Sequence, residues 1–266
     1  MKNERLLLGC TVLLFAILWL PFGQYPFLIN HWVKIGVYAI PFIGIGLFAF
    51  RDHEHPFHSN PRFIALLMLI AYVVHQFEEH WIDLFGNVYA FYTFNNNFIL
   101  SALGEPGSAV KPLTKESIFI INTSLVWLTG SLAILRSPKQ LFPFFSMVGI
   151  ILINGVVHIL AGVATLTYNP GLLTSMLVFI PLCAWILKKT AHSTTYFKTL
   201  VVGGLIWAFF AHVIMVGGLL AANWFNLIPE YVYWAMLIAW SILPVAVFRD
   251  YKHNTEFPEQ NTSLPV

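Results

Sequence analysis

The sequence predicts an all-α membrane protein, a polytopic bundle of about eight transmembrane helices with both termini in the cytoplasm. Three observations lead to this prediction: the composition, the spacing of the apolar segments and the distribution of basic residues between them. Of the 266 residues, 58% are hydrophobic and only 10% are charged, and the mean hydropathy is +0.73. A soluble domain carries roughly a quarter charged residues, so most of this chain is expected to lie in lipid.

Eight apolar segments can be marked along the chain. Most of them approach the roughly 20 residues that an α-helix needs to cross the hydrocarbon core. They cover residues 6–22, 32–50, 62–82, 117–135, 142–168, 171–188, 198–222 and 231–248. The turn sequence Tyr168-Asn-Pro-Gly171 separates the fifth segment from the sixth and predicts a tight helical hairpin.

The basic residues favour an even number of spans. If the N-terminus is cytoplasmic, only three of the 14 basic residues, Lys34, Lys111 and Lys115, fall in outer loops. Positively charged loops are retained in the cytoplasm, so this bias is the one that membrane proteins show. An odd number of spans would scramble it, which is why eight helices are predicted.

We expect a single transmembrane domain over residues 1–253, followed by a polar and disordered tail over residues 254–266. The outer loop 83–116 is rich in aromatic residues and asparagine, and it is expected to lie over the outer ends of the helices. The net charge is only +2 and there is no basic tract, which argues against a nucleic-acid partner. The inner loop contains His53, His55 and His58, and we interpret it as solvated.

The candidate functional site begins with His75-Gln-Phe-Glu78-Glu79 in the third segment. An imidazole and two carboxylates are costly to place in a membrane span, so they are a functional hypothesis by default. On an α-helix, Glu78 lies roughly 60° to one side of His75 and Glu79 roughly 40° to the other. The three side chains can therefore converge, whereas His80 is predicted to point away, towards the membrane interface.

Two further histidines lie deep in apolar segments. His158 follows Asn154 by one helical turn in the fifth segment, and His212 lies in the seventh. The third, fifth and seventh segments run in the same direction through the predicted membrane. His75, His158 and His212 are each roughly 20–24 Å from the inner end of their helix, so one layer in the outer half is predicted to hold all three.

Three imidazoles with one or two carboxylates form a plausible ligand set for Zn²⁺ or non-haem iron, and no organic cofactor is indicated. The predicted metal ligands are His75, Glu79, His158 and His212. The predicted catalytic residues are Glu78, Glu79 and Asn154. A second carboxylate can serve as general base, and Asn154 can orient His158 or polarise a substrate carbonyl.

The motif His75-x-x-Glu78-Glu79, followed by Asn154-x-x-x-His158, resembles the HXXEE family of bacterial integral membrane proteins. That family is described by HXXEE, NXXXH and HXXXG motifs. The third motif fits His158-Ile-Leu-Ala-Gly162, whereas His212 meets a glycine one position late, at Gly217. The activity of the family is not established, so the resemblance implies a membrane protein of the bacterial inner membrane with this site and adds no reaction.

The function expected from these residues is that of a metal-dependent enzyme acting on a lipid or another apolar small molecule, with membrane lipids as its surroundings. Its arrangement looks like that of zinc-dependent membrane hydrolases such as the ceramidase and adiponectin-receptor-like superfamily, which is an analogy of layout alone. Three alternatives stay open: a cation- or proton-coupled transporter, a metal-free His/Glu proton-shuttling isomerase and a lipid-binding protein. The polar groups can also be purely structural, at a helix end or as an interhelical hydrogen bond.

Overall fold

The chain forms α-helices and no strand in the residues that its computed structural model describes, which are 2–19, 26–49, 60–103, 112–137, 139–191 and 196–247. The helices are α1 (Lys2–Trp19), α2 (Pro26–Ala49), α3 (Pro61–His80), α4 (Ala90–Leu103), α5 (Lys115–Arg136), α6 (Leu141–Thr165), α7 (Leu172–Thr190), α8 (Phe197–Trp224) and α9 (Glu230–Val247). The predicted all-α class is confirmed. The predicted tail 254–266 and the loop with His53, His55 and His58 lie outside the described residues.

Within the described residues, six helices are long and apolar enough to cross a membrane: α2, α3, α5, α6, α7 and α8. Shorter apolar stretches lie in α1 (Leu8–Trp19) and α9 (Glu230–Ala246). These eight helices correspond in order to the eight apolar segments of the sequence. The predicted hairpin after the fifth segment is also present, because α6 ends at Thr165 and α7 begins at Leu172.

The structure adds one helix that the sequence did not predict. Helix α4 lies inside the segment 83–116, which we had interpreted as a loop, and at 14 residues it is too short to span the membrane. Its asparagines are poor helix formers, but Asn95 and Asn96 donate their amides to the carbonyl oxygens of the preceding turn. The Asn96 amide also pairs with the backbone of Leu113 in both directions, which ties α4 to the start of α5.

Helix α3 lies at the centre of the bundle, and α2, α4, α5, α6 and α7 pack around it. Its start is capped by Asn60, whose side chain accepts a hydrogen bond from the Arg62 amide at 2.9 Å. Fourteen of its 20 residues are buried, so residues on nearly every side of the helix contact protein. The polar residues near its C-terminal end are therefore enclosed by neighbouring helices.

Three of the spans contain a π-helical stretch: Asn122–Leu128 in α5, Ser175–Phe179 in α7 and Leu220–Trp224 at the end of α8. Such stretches are rare and occur frequently at functional sites. The first two begin level with the polar end of α3, where Asn122 and Thr174 contact its side chains. The change of helical pitch thus coincides with the level of the polar cluster.

Helices α6 and α8 approach each other through two glycines. A Cβ atom at Gly149 would lie 2.5 Å from the carbonyl oxygen of Gly204, and one at Gly204 would lie 2.4 Å from that of Phe145. Small residues of this kind let two membrane helices pack backbone against backbone. This contact sets the position of α8 relative to the helix that carries His158.

We expect Gly204→Ala to destabilise the protein by about 1–3 kcal/mol, because the new methyl group meets a backbone atom that cannot rotate away. The measurement is the midpoint of thermal unfolding in detergent. The matched control is Gly217→Ala on the same helix, where no atom lies within 4 Å of the added Cβ. Because alanine favours the helix, the control is expected to be neutral or stabilised by up to about 1 kcal/mol. Equal midpoints for the two variants would contradict the packing described here.

Candidate functional site

The carboxylate of Glu79 is the centre of a buried polar cluster at the C-terminal end of α3. Its Oε1 lies 3.4 Å from Nε2 of His75 and 3.0 Å from Nε2 of His158. The two imidazole rings meet edge to face, with their centroids 4.9 Å apart. All three side chains are buried, with residue exposures of 0% for His75, 4% for Glu79 and 6% for His158.

The orientation of His75 follows from its partners. Its Nδ1 lies 2.7 Å from Oγ1 of Thr174, and that hydroxyl donates its hydrogen to Oε2 of Glu78 at 2.5 Å. Because the hydroxyl has only one hydrogen, it accepts from His75, so Nδ1 carries the proton of the neutral ring. The Nε2 lone pair of His75 therefore faces Glu79 and the Asn154 amide, whose nitrogen lies 3.0 Å from Nε2.

His158 is oriented in the same sense by the turn between α6 and α7. Its Nδ1 donates to Oδ1 of Asn169 at 2.7 Å, and the Asn169 amide in turn donates to the carbonyl oxygen of His158 at 3.0 Å. The Nδ1 proton is fixed by this amide. Nε2 lies 3.0 Å from Oε1 of Glu79, where it holds the lone pair of a neutral ring or donates to the carboxylate from a protonated ring. Two imidazole nitrogens and one carboxylate oxygen thus face one another.

Glycine at position 171 is required by the closeness of the two histidines. Its φ is +96°, in the left-handed region, and an added Cβ would lie 2.7 Å from Cε1 of both His75 and His158. A side chain here would be strained in its backbone and would collide with both rings. The turn therefore lets the start of α7 approach the cluster closely.

Glu78 does not share the centre with Glu79. Its Oε1 accepts from Tyr168 Oη at 2.9 Å and from the Leu173 amide at 3.1 Å. Its Oε2 accepts from the amide of Thr174 at 2.8 Å and from the hydroxyl of the same residue. With four donors, this carboxylate binds the first turn of α7 to α3, where the helix N-terminus also favours negative charge.

The prediction for the side chain of His80 was wrong. It was predicted to point towards the interface, yet it is only 1% exposed and its Nε2 lies 3.3 Å from Oε2 of Glu79. The prediction assumed that the side of α3 opposite His75 faces lipid, whereas Trp32 of α2 and Phe91 of α4 cover it. The second oxygen of Glu79 reaches this side.

A chain of amide hydrogen bonds continues from His80 into α5. Nε2 of His80 lies 3.3 Å from Nδ2 of Asn122, and Oδ1 of Asn122 accepts from Gln76 at 2.9 Å. Oε1 of Gln76 accepts from the indole of Trp127 at 2.9 Å. These bonds satisfy the polar groups that the π-helical stretch of α5 brings into the membrane interior.

An apolar cavity of about 430 Å³ borders the cluster, between α3, α4, α5, α6 and α8. Its wall is formed mainly by apolar side chains, including the α4 face that carries Phe91, Phe98 and Ile99. The polar residues in the wall are Glu79, His80, Asn95, Asn122, Asn154 and His212. The cluster therefore has one side that opens onto a cavity large enough for a small molecule.

The structure brings together three of the four predicted metal ligands, His75, Glu79 and His158, whose ligand atoms all lie within 4.8 Å of one another. His212 is not in this group. Its Nδ1 donates to the carbonyl oxygen of Ala208 at 2.8 Å, and the residue lines the cavity instead. The sequence predicted the depth of His212 along α8, but it did not predict the direction in which the ring points around the helix axis.

The predicted catalytic residues have different positions. Glu79 belongs to the cluster, Glu78 is enclosed by the donors of α7, and Asn154 lies in the cavity wall. The Asn154 amide is 3.0 Å from Nε2 of His75, so it contacts that histidine and not His158, which Asn169 orients. The catalytic roles stay predictions.

Sequence reasoning missed four residues of the site: Tyr168, Asn169, Gly171 and Thr174. All four lie in or just after the turn Tyr168-Asn-Pro-Gly171, which we had interpreted only as a helix connection. One signal could have found them, because this turn follows the end of the span that contains His158 and must lie near the same level. Polar turn residues at that level are available to orient the histidines.

Tyr168 joins the site to the loop that follows α3. Its hydroxyl donates to Glu78 and accepts from the Leu84 amide at 3.2 Å. Burial raises the pKa of the Tyr168 phenol above its ordinary value, and the hydrogen bond to Glu78 raises it further. The hydroxyl therefore stays protonated, as a donor to Glu78, over the range of pH in which proteins are handled.

We expect Tyr168→Phe to accelerate hydrogen exchange at the Leu84 amide by about two- to tenfold, the effect of losing one hydrogen bond. Residue-resolved hydrogen exchange measures it. The Asn87 amide is an internal control, because it donates to Asp83 in the same loop and not to Tyr168. Equal acceleration at both amides, or none at Leu84, would contradict this contact.

Comparison with known proteins identifies the domain that contains this cluster. The model of a family described as "Protein of unknown function with HXXEE motif" matches residues 66–186, which include His75, Glu79, Asn154, His158 and the turn before α7. No curated protein and no solved structure matches the chain. The resemblance predicted from the motifs is confirmed: residues 66–186 of the chain match the HXXEE family of proteins of unknown function.

Proposed function

We propose that His75, Glu79 and His158 hold a divalent metal ion, and that the protein is a metal-dependent enzyme acting on a lipid or another apolar small molecule. One observation carries this proposal. Two imidazole lone pairs and a carboxylate oxygen face each other because Thr174 and Asn169 bind the opposite ring nitrogens. When both rings are neutral, these three atoms are acceptors that repel one another in a low dielectric, and a cation between them removes the repulsion.

The two distances from the carboxylate to the histidines fit a metal centre. Two ligand atoms bound at about 2.0–2.1 Å to one tetrahedral zinc ion lie about 3.3 Å apart. The separations from Glu79 Oε1 are 3.4 Å to His75 and 3.0 Å to His158. Two histidines and one carboxylate are a known ligand set both for catalytic zinc and for non-haem Fe(II). Both metals then keep coordination positions free for water or substrate.

The hydrogen-bond donors around the cluster support the same proposal. Metal-binding histidines usually donate their second N–H to an amide, hydroxyl or carboxylate that holds the ring in place. Asn169 serves His158 in this way, and Thr174 with Glu78 serves His75. We propose that Glu78 positions His75 through Thr174, and that it does not contact the substrate.

A metal bound here would supply Lewis-acid chemistry or activation of water. The chain's own residues would place the substrate. Asn154 lines the cavity beside His75, and its amide can hydrogen-bond a polar group that enters from the cavity. The apolar wall excludes bulk water from the cluster and favours a substrate that partitions into lipid.

We also propose that the cluster lies in the outer half of the membrane, as the loop charges predict. The α4 end of the bundle carries Lys34 and Lys115, whose ammonium groups lie over the rings of Trp81 and Tyr89. The basic residues near the opposite helix ends are Arg62, Arg136, Lys139, Lys188, Lys189 and Lys198. The positive-inside rule then assigns the second end to the cytoplasm.

We expect the protein purified from cells to contain close to stoichiometric zinc or iron, and His75→Ala and His158→Ala to lose most of it. Each variant removes one of three ligands, which leaves too few for tight binding. Elemental analysis by mass spectrometry measures the metal. His212→Ala is expected to keep the metal, because this residue is not in the three-ligand group.

The matched control is His31→Ala. His31 lies on α2 against the ring of Phe27 and outside the cluster, so the metal content should not change. Absence of metal from the wild-type protein, or its retention in both ligand variants, would overturn the proposal. The first of these results would favour the metal-free proton-shuttling alternative.

We expect Gly171→Ala to weaken zinc affinity by about 10- to 100-fold, the range found when the orientation of a ligand is disturbed. The added Cβ would displace the rings of His75 and His158 together. Competition with a zinc-binding dye measures the affinity. The control is Gly86→Ala, which is equally strained at φ +83° but has no atom within 4 Å of the new Cβ. Equal affinity in the two variants would contradict the role assigned to Gly171.

A further inference from the structure

The apolar cavity beside the metal group is not closed on all sides. Tyr72, Leu125 and Ile150 line it and are exposed by only 6%, 3% and 2%. Contact with the cavity therefore adds little to the exposed fraction of a side chain. A wall residue with a much larger exposed fraction must also lie on the outer surface of the bundle, so such residues show where the cavity opens.

Half-exposed wall residues lie on three different helices. Phe98 of α4 is 51% exposed, Val157 of α6 48% and Val216 of α8 50%, and all three line the cavity. Most of this exposure comes from the surface of the bundle. The cavity thus continues to the surface between α4, α6 and α8, and we call the gap that these three residues frame the side opening.

The surface next to the side opening has the same apolar character. Val156 is 40% exposed and Val213 is 47% exposed, and neither lines the cavity. Val156 is the neighbour of Val157 on α6, and Val213 lies about one turn before Val216 on α8. The outer faces of both helices therefore lead directly to the opening.

The side opening lies within the candidate spans and away from their ends. Val157 precedes the end of α6, Thr165, by eight residues. Val216 precedes the end of α8, Trp224, by the same number. At about 1.5 Å per residue, both valines are about 12 Å from the end of their helix. Because the surroundings of a span at this depth are lipid chains, we expect the opening to face the bilayer and not the aqueous phase.

The cavity extends along α4. Wall residues from Phe91 to Ala102 recur at intervals of three and four residues, which places them on one face of this helix. At about 1.5 Å per residue, this face is about 16 Å long. A volume of about 430 Å³ over that length leaves a narrow space. Its shape therefore suits one linear hydrocarbon chain better than a rounded or branched molecule.

A lipid chain can enter such a cavity without crossing water. Lipid tails are as apolar as aliphatic side chains, so the chain exchanges one apolar surrounding for another and little hydrophobic free energy opposes the step. An empty apolar cavity would lose dispersion contacts on its inner side, and a hydrocarbon chain restores them. The side opening thus makes the bilayer the source of the ligand.

We propose that the cavity takes up one linear hydrocarbon chain of a membrane lipid, which enters sideways between α4, α6 and α8 past Val157 and Val216. As an assignment of the substrate, this inference rests on the proposed function, because the wall that receives the chain also contains Glu79 and Asn154. A lipid held in this way brings its chain to the metal group directly from the bilayer. The substrate class is then a lipid with at least one linear chain.

Photolabelling tests the position of the chain. The full-length protein is placed in nanodiscs of phosphatidylcholine that carries a diazirine in one acyl chain, it is irradiated, and the labelled residues are identified by mass spectrometry. We expect label on Tyr72, Leu125 and Ile150, which line the cavity and are almost inaccessible from outside the bundle. Label confined to surface residues such as Val156 and Val213 would overturn the proposal.

Two variants on α8 test the side opening. Val216→Trp places a large ring in the opening, and we expect labelling of the three buried residues to fall by about fivefold or more, because the added volume leaves no room for the chain. Val213→Trp is the matched control, since it makes the same exchange at a similarly exposed position that does not line the cavity. Its labelling should equal that of the wild-type protein. An equal response of the two variants would overturn the side opening.

A second pair of variants keeps this test decisive if Val216→Trp does not fold. On α6, Val157→Trp lies in the opening and Val156→Trp is the neighbouring position outside it. We expect the first variant to lose the buried label and the second to keep it. Equal labelling of this pair would contradict entry between these helices.

Metal content measured on the same samples separates this inference from the metal centre. Label inside the cavity of a protein without metal would support the lipid chain and refute the metal-dependent enzyme. Full metal content with label only on the surface would do the opposite. The two proposals therefore succeed or fail on different measurements.

Discussion

The buried carboxylate of Glu79 is the group on which the polar interior of this protein depends. An ionised carboxylate in a membrane span is stable only when it is paired and hydrogen-bonded. Its two oxygens have different neighbours: Oε1 faces His75 and His158, between which we place the metal ion, and Oε2 faces His80. Helix α6 and the start of α7 meet α3 at this point, and the covering helices exclude lipid from the other side.

Much of the site was predictable because the spacing of residues along a helix determines which side chains share one face. His75 and Glu79 are one turn apart and must share a face, and the alternating direction of the spans placed His158 at their level. The same argument failed for His212. The depth of a residue along a helix does not determine the direction in which its side chain points around the helix axis. The ring of His212 donates a hydrogen bond to Ala208 of its own helix. His80 was misplaced for a related reason, since the sequence does not show that α3 is surrounded on all sides.

The remaining residues depend on tertiary contacts that a pattern of hydropathy does not contain. Asn169 and Thr174 orient their histidines only because Gly171 lets the turn come close to both rings. Helix α4 was missed because its asparagines disfavour a helix in isolation. In the structure their amides are satisfied by the preceding turn and by the start of α5. The overall class, by contrast, follows from composition and segment length alone.

The four hydrogen bonds on Glu78 also have a consequence for biosynthesis. Their donors lie 90 to 96 residues later in the chain, between Tyr168 and Thr174. At about 5–20 residues per second, a ribosome adds them roughly 5 to 20 seconds after it has completed α3. Until then, the Glu78 carboxylate lacks the donors that it has in the folded protein. Helix α3 also has the lowest mean hydropathy of the six candidate spans, 1.2 against 2.2 for α6. We therefore expect α3 to become stable in lipid only when the α6–α7 hairpin arrives, so that the middle of the chain inserts as one unit.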